Sequence, residues 1–237
     1  MSLIALLELA VFSVLLLASC FFYIIFTKEQ KKNLEILEFI FESLSQDDAI
    51  FKSHSLHVFY LSQLFYEYIP FKYKVGLSAN TLAICALVHD IGKTAIPKKI
   101  LYKPGKLTKE ELELVRRHTE IGSKKIMQNK NLHFLSNAIL RHHERVDGSG
   151  YEKLSGKKIP VEARIISIVD AYTAIIMANS FKPSRSYSDA IISLKMSAGT
   201  QFDKELVEIF CSIPQARVNE CTHKVEEKLK YDKTSLC

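Results

Sequence analysis

The sequence predicts an all-α domain preceded by one membrane-crossing helix. Three observations carry that prediction: an almost unbroken apolar run from Leu3 to Phe26, helical spacing of apolar residues in the later segments, and no alternating segments paired across hairpin turns. With 237 residues there is room for one ordinary domain besides such a helix, and no room for a second catalytic domain.

Between Leu3 and Phe26, Glu8 is the only ionisable carboxylate or amine, and it lies near the outer end, where it can reach the interface. At about 1.5 Å per residue the run can cross a hydrocarbon core of roughly 30 Å. Lys28, Lys31 and Lys32 follow it and nothing basic precedes it, so the positive-inside bias places the remainder in the cytoplasm, tethered to the inner membrane as a single-pass protein. Leu17-Ala18-Ser19-Cys20 has the form of a lipoprotein cleavage site, which would instead give an outward-facing protein lipidated at Cys20. Against that alternative stand the missing basic n-region and an apolar stretch that continues past the cleavage point to Phe26.

Asn33 to Ser45 reads as a helical linker, with Leu34, Leu37, Ile40, Phe41 and Leu44 on one stripe and Glu35, Glu38 and Glu42 between them. The stripe could pair with a second copy as a short coiled coil and make a homodimer, or pack on its own domain. Helical spacing resumes through Val58, Leu61, Leu64, Phe65 and Tyr68, and two strongly apolar stretches follow, Leu82 to Val88 and Ala163 to Val169. Thr108, with Glu111 three residues on, has the form of a capping box after the Pro104-Gly105 loop. From Val218 the chain is polar and lysine-rich and predicts a poorly packed tail. The organisation read from these features is an anchor over 1–26, a linker over 27–51, one helical domain over 52–213 and a tail over 214–237.

Cys20, Cys85, Cys211, Cys221 and Cys237 form no CxxC pair and no even framework, which excludes a zinc ribbon and a disulfide scaffold and favours a reducing compartment. A net charge of +6 suits nucleic acid, a membrane surface or a phosphorylated ligand equally. The lysines are spread along the chain rather than gathered with aromatic residues, so a nucleic-acid polymer is not the expected partner.

The chemistry concentrates where apolar helices end in polar groups. Leu82 to Val88 runs into His89-Asp90, with Gly92 able to end the helix, and Ile165 to Val169 delivers Asp170 in the same way. An imidazole and a carboxylate at the inner end of a core helix are costly without a compensating charge, which a metal ion would supply. His142-His143 precede the loop Asp147-Gly148-Ser149-Gly150, and His54 and His118 complete an ordered set on one helical domain. Imidazole and carboxylate without thiolate suit iron, manganese or zinc.

The strings His89-Asp90-Ile91-Gly92-Lys93, Lys103-Pro104-Gly105-Lys106-Leu107-Thr108, His142-His143-Glu144-Arg145, Asp147-Gly148-Ser149-Gly150-Tyr151 and Gly199-Thr200-Gln201-Phe202-Asp203, in this order, resemble the HD-GYP domain. The likeness runs from about Lys52 to Phe210 and implies the helical bundle of HD-domain phosphohydrolases. It implies phosphodiesterase activity on cyclic di-GMP at two divalent metal ions, typically iron or manganese, which activate water for attack on phosphorus. By position, His54, His89, Asp90 and Asp170 would bind one metal, and Asp90 would bridge to a second held by His118, His142 and His143. Lys93 would stabilise developing charge or protonate the leaving oxygen, while Gly150, Tyr151 and Arg185 would meet substrate.

This chain departs from the family pattern at four places. Ile50 stands where members with a third metal carry glutamate, so two metals are expected. Glu152 replaces the proline of the Gly-Tyr-Pro tripeptide, Thr173 replaces the second carboxylate of an Asp-x-x-Asp pair, and His57 stands where arginine is usual. Glu152 and Thr173 leave open another phosphorylated substrate, and a signalling or scaffold role without turnover is the alternative of a different class. His57, His133 and His223 match no motif and are expected at the surface.

Overall fold

A computed structural model of the chain describes residues 48–177 and 184–234, together with Ser19 and Tyr23. The chain divides into two compact units, Met1–Glu42 and Ser43–Cys237. The predicted membrane span and nearly all of the predicted linker lie outside the described residues. No helix among the described residues is long and apolar enough to cross a membrane.

The second unit is all-helical among its described residues. In chain order it contains α1 (Ala49–Tyr68), α2 (Phe71–Lys74), α3 (Ala79–Val88), a 3-10 turn (Ile91–Ala95), α4 (Lys98–Leu101), α5 (Lys109–Arg116), α6 (His118–Met127) and a second 3-10 turn (His133–Leu135). There follow α7 (Ser136–Arg141), a third 3-10 turn (Gly156–Lys158), α8 (Val161–Ile176), α9 (Tyr187–Met196), α10 (Lys204–Ser212) and α11 (Gln215–Thr234). Its only extended pairing among the described residues is two isolated bridges, Asp147 with Ser155 and Ala198 with Phe202.

Local chemistry accounts for the helix boundaries. Asp48 caps α1 by accepting from the Phe51 N–H at 3.0 Å, and the helix stops at Ile69, ahead of Pro70. Ser78 caps α3 in the same way through the Thr81 N–H. The Thr108 capping box forms as its spacing predicts, with the Glu111 carboxylate accepting from the Thr108 N–H at 2.8 Å. A second capping box, Ser186 with Asp189, opens α9.

α1 is the central strut, packed against α3, α8 and α11. Val58, Leu61, Leu64 and Phe65 line its inner face, and the Phe65 ring meets Phe210 edge-on with centroids 5.1 Å apart. From Leu82 to Val88, α3 is apolar on all sides and sunk in the core, as its composition predicts.

Two expectations are overturned here. The C-terminal segment is not a loose tail: α11 lays Val218, Cys221 and Val225 against α1, each at most 4% exposed. The Cys221 thiol reaches the Tyr60 carbonyl at 3.6 Å, and Arg217 pairs with Glu67 at 2.9 Å. The apolar stripe at i, i+3 and i+7 is narrow, and the lysines around it mask it in composition. His57 is not at the surface. It is 7% exposed on the inner side of α1, with Nδ1 donating to the Ser53 carbonyl at 2.8 Å, and burial lowers its pKa. His133 and His223 are exposed, as expected.

Candidate metal centre

Five segments bring seven side chains together. His54 comes from the first half of α1, His89 and Asp90 from the end of α3, His118 from the start of α6, His142 and His143 from the end of α7, and Asp170 from α8. Their ligand atoms form two groups, each within 4.8 Å: His54, His89 and Asp170 in one, and Asp90, His118, His142 and His143 in the other. Asp90 lies between them, with one carboxylate oxygen 3.4 Å from His89 Nε2 and 3.8 Å from His54 Nε2 and the other 3.2 Å from His118 Nε2. His54 Nε2 is 3.0 Å from Asp170.

Gly92 makes this convergence possible. A Cβ there would stand 2.6 Å from the Gly122 nitrogen and closer still to the His118 carbonyl, so only glycine lets the turn after Asp90 close onto α6. Its φ is not positive. The glycine therefore supplies space, rather than the helix-ending conformation read from the sequence.

The hydrogen bonds fix what the imidazoles offer. His89, His118 and His142 each place Nδ1 2.7 Å from the carbonyl three residues earlier, of Ala86, Val115 and Ile139. A carbonyl can only accept, so each Nδ1 carries the proton and each neutral ring turns a lone pair at Nε2 into the centre. His118 Nε2 and His142 Nε2 are 3.3 Å apart, an arrangement of two lone pairs that calls for a cation between or beside them. His54 Nε2, His89 Nε2 and Asp90 Oδ1 are buried without a hydrogen-bond partner, and groups left so pay their full desolvation penalty. The donor set and its orphaned atoms fit a pair of divalent cations, and the nitrogen and oxygen ligands suit iron, manganese or zinc.

The electrostatics agree. Burial opposes ionisation of Asp90, but Lys93 and His89 outweigh it and hold the carboxyl well below its usual range. Burial likewise opposes ionisation of Asp170, but His54 and His89 outweigh it and hold that carboxyl below its usual range. Desolvation keeps His142 and His143 neutral, the state that can ligate. For His89, burial is overcome by Asp90 and Asp170, which raise its pKa: their field favours a cation at this point.

Lys93 extends from the 3-10 turn with Nζ 2.5 Å from Asp90. Its ammonium is held above the usual range because Asp90 and Asp170 outweigh its burial. A cavity of about 420 Å³ opens beside it, with His54, Asp90, Lys93 and Asp170 at one end. Gly150 and Tyr151, expected to meet substrate, do not line this cavity. A Cβ on Gly150 would come within 2.7 Å of Glu144 Cα, and the Tyr151 ring rests on His143 at 5.3 Å with the Arg116 guanidinium 5.4 Å from its centroid. Arg185 is exposed, 3.5 Å from Asp189, and does not line the cavity.

Glu144 belongs to the His142-His143-Glu144-Arg145 string, where nothing in the sequence points to its role. It is 3% exposed and accepts the backbone N–H groups of Glu152 and Leu154 at 2.5 and 2.6 Å, clamping the loop that carries Tyr151. A proline at 152 would have no N–H to donate, so the departure from the family tripeptide has a local structural use. Neither Glu152 nor Thr173 lines the cavity. Glu152 is exposed and Thr173 fully buried, whereas Ile50 does line it.

Residues 75–206, more than half of the chain, match the HD domain family, and the chain belongs to it. RpfG of Xanthomonas campestris pv. campestris, named a cyclic di-GMP phosphodiesterase response regulator, is 39% identical over 141 residues, which are 57% of this chain and 37% of RpfG. A cyclic di-GMP phosphodiesterase of Thermotoga maritima is 30% identical over 194 residues, covering 79% of this chain and 51% of that protein. The HD domain of the Listeria monocytogenes phosphodiesterase PgpH, solved with cyclic-di-AMP, shares the fold at a TM-score of 0.53 and 16% identity, covering 76% of this chain and 94% of that one. The chain thus spans between about a third and a half of the length of these two curated relatives.

Proposed function

We propose that this chain is a metal-dependent phosphodiesterase that opens a cyclic dinucleotide, cyclic di-GMP foremost, from a cytoplasmic domain tethered to the inner membrane. The observation that carries this reading is the pair of ligand groups meeting at Asp90, at the end of a cavity large enough for part of a nucleotide. Cyclic di-GMP is the substrate named for RpfG and for the Thermotoga relative. The tether rests on the apolar run from Leu3 to Phe26 and the lysines after it.

His54, His89, Asp90 and Asp170 would hold one divalent ion, iron or manganese, and His118, His142 and His143, with Asp90 shared, would hold another. Bound there, the two ions supply Lewis acidity toward a phosphoryl oxygen and lower the pKa of water. The protein's own groups do the rest. The Nδ1-to-carbonyl bonds aim three imidazoles before any ligand arrives. The Lys93 ammonium faces the cavity beside Asp90, where it can balance charge on a non-bridging oxygen or give a proton to the leaving oxygen.

The test is hydrolysis of cyclic di-GMP by the full chain, purified anaerobically and loaded with iron(II) or manganese(II), with Asp90→Ala as control. Metal-dependent turnover that the control lacks is the expected result. Two bound metals without turnover on cyclic di-GMP, but with turnover on another member of a panel of cyclic dinucleotides and phosphomonoesters, would move the substrate assignment. Two bound metals and no turnover on any of them would favour the scaffold role.

A further inference from the structure

The cavity is longer than its polar end requires. Away from His54, Asp90, Lys93 and Asp170, its walls include Ile50, Phe51, Tyr102, Leu107 and Met177. Those five carry no charge. The one hydroxyl among them, on Tyr102, is already committed to Asp48, the residue that caps α1. Lys103 at the rim is turned away onto both carboxylate oxygens of Glu111, at 2.8 and 2.7 Å. The arm therefore presents aromatic rings and aliphatic groups, without a ligand for a further metal or a free cation for a second phosphate. What matches it is a flat group with apolar faces, joined to a phosphodiester a few bonds away.

We propose that this arm is a nucleobase subsite, with Phe51 and Tyr102 as its aromatic walls and Ile50 and Met177 closing its outer side. The proposal rests on the cyclic dinucleotide reading above and adds to it the residues that grip the base. Bases bind aromatic side chains through their π faces whatever their edge pattern, so the arm contributes affinity through shape and stacking. The phosphodiester of the same nucleotide would then lie at the Lys93 end. Ile50 is one helical turn before His54 on the cavity side of α1, so its apolar side chain belongs to the base arm rather than to the metal cage.

The measurement is the dissociation constant of a non-hydrolysable phosphorothioate analogue of cyclic di-GMP, by equilibrium dialysis against the manganese-loaded full chain. Phe51→Ala and Tyr102→Leu are each expected to weaken binding about 5- to 150-fold, the range stacking contacts give. Metal content and the binding of inorganic phosphate, which has no base, stay at parent values. Tyr102→Phe keeps the ring and loses only the contact with Asp48, and it is expected to bind within about twofold of the parent. Tyr102→Phe losing as much as Tyr102→Leu would mean that the residue acts through Asp48 alone, and the subsite assignment would fall. It would fall equally if the parent binds the analogue and Phe51→Ala and Tyr102→Leu bind it as well, with the substrate reading left standing. A parent that does not bind the analogue would remove the substrate reading, and the subsite with it.

Discussion

Asp90 is the residue on which the centre turns, because both ligand groups converge on its two oxygens while Lys93 balances its charge. Asp90→Ala should lower the metal content measured by atomic absorption from about two per chain to one or fewer, and reduce turnover by at least about 10³-fold. Lys93→Ala should separate binding from chemistry: metal content unchanged, and kcat down about 10²- to 10³-fold, the usual cost of losing one preorganised charge-stabilising donor. Glu152 invites a prediction opposite to what the resemblance alone would give. Restoring the family proline by Glu152→Pro removes the N–H that donates to the buried Glu144 carboxylate, a hydrogen bond to charge worth about 1.5 to 3 kcal/mol. The variant should unfold at lower urea and lose the contact between Tyr151 and His143, even though it looks closer to the family.

At the scale of elements, the close approach of the turn after Asp90 to α6 is the tightest constraint around the site. Gly92→Ala would drive a methyl group into the backbone of His118 and Gly122, so one of the two elements must move. The expected result is a loss of about 1 to 3 kcal/mol or more in urea unfolding, with weakened metal binding because His118 is carried away with its helix. α11 matters by a different route. It shares no ligand with the centre, but it buries Val218, Cys221 and Val225 on α1, the helix that carries His54. The narrow stripe on α11 is readable in retrospect at 218, 221 and 225. Lysine and glutamate fill the positions between, and whether such a stripe is covered depends on a partner helix more than a hundred residues earlier in the chain.

For the whole molecule, ions held between five segments would couple binding to folding, since the unfolded chain offers no such cage. At a free metal concentration one hundred times the dissociation constant, the linkage is worth about 2.7 kcal/mol, or roughly 5 to 11 °C in Tm for a domain of this size. Chelation should lower the Tm measured by differential scanning calorimetry by that order, readdition of manganese(II) should restore it, and Asp90→Ala should respond less than the parent to both.

The sequence by itself determined the all-helical class, the Thr108 cap, the buried α3 and the set of groups now seen to converge. These follow from spacing a few residues long and from the cost of leaving imidazole and carboxylate at the ends of apolar helices. The tertiary structure decided what depends on distant partners. It set the division of the seven side chains into two groups around Asp90, though the family resemblance had anticipated that division. It gave Gly92 its role as a space-maker, buried His57 and α11 against the core, and turned Glu152 into a backbone donor for Glu144. It also removed Thr173 from the cavity and left Arg185 exposed beside Asp189. Each of these is a matter of which surfaces meet, and a contact between residues far apart in the chain leaves no local periodicity to read.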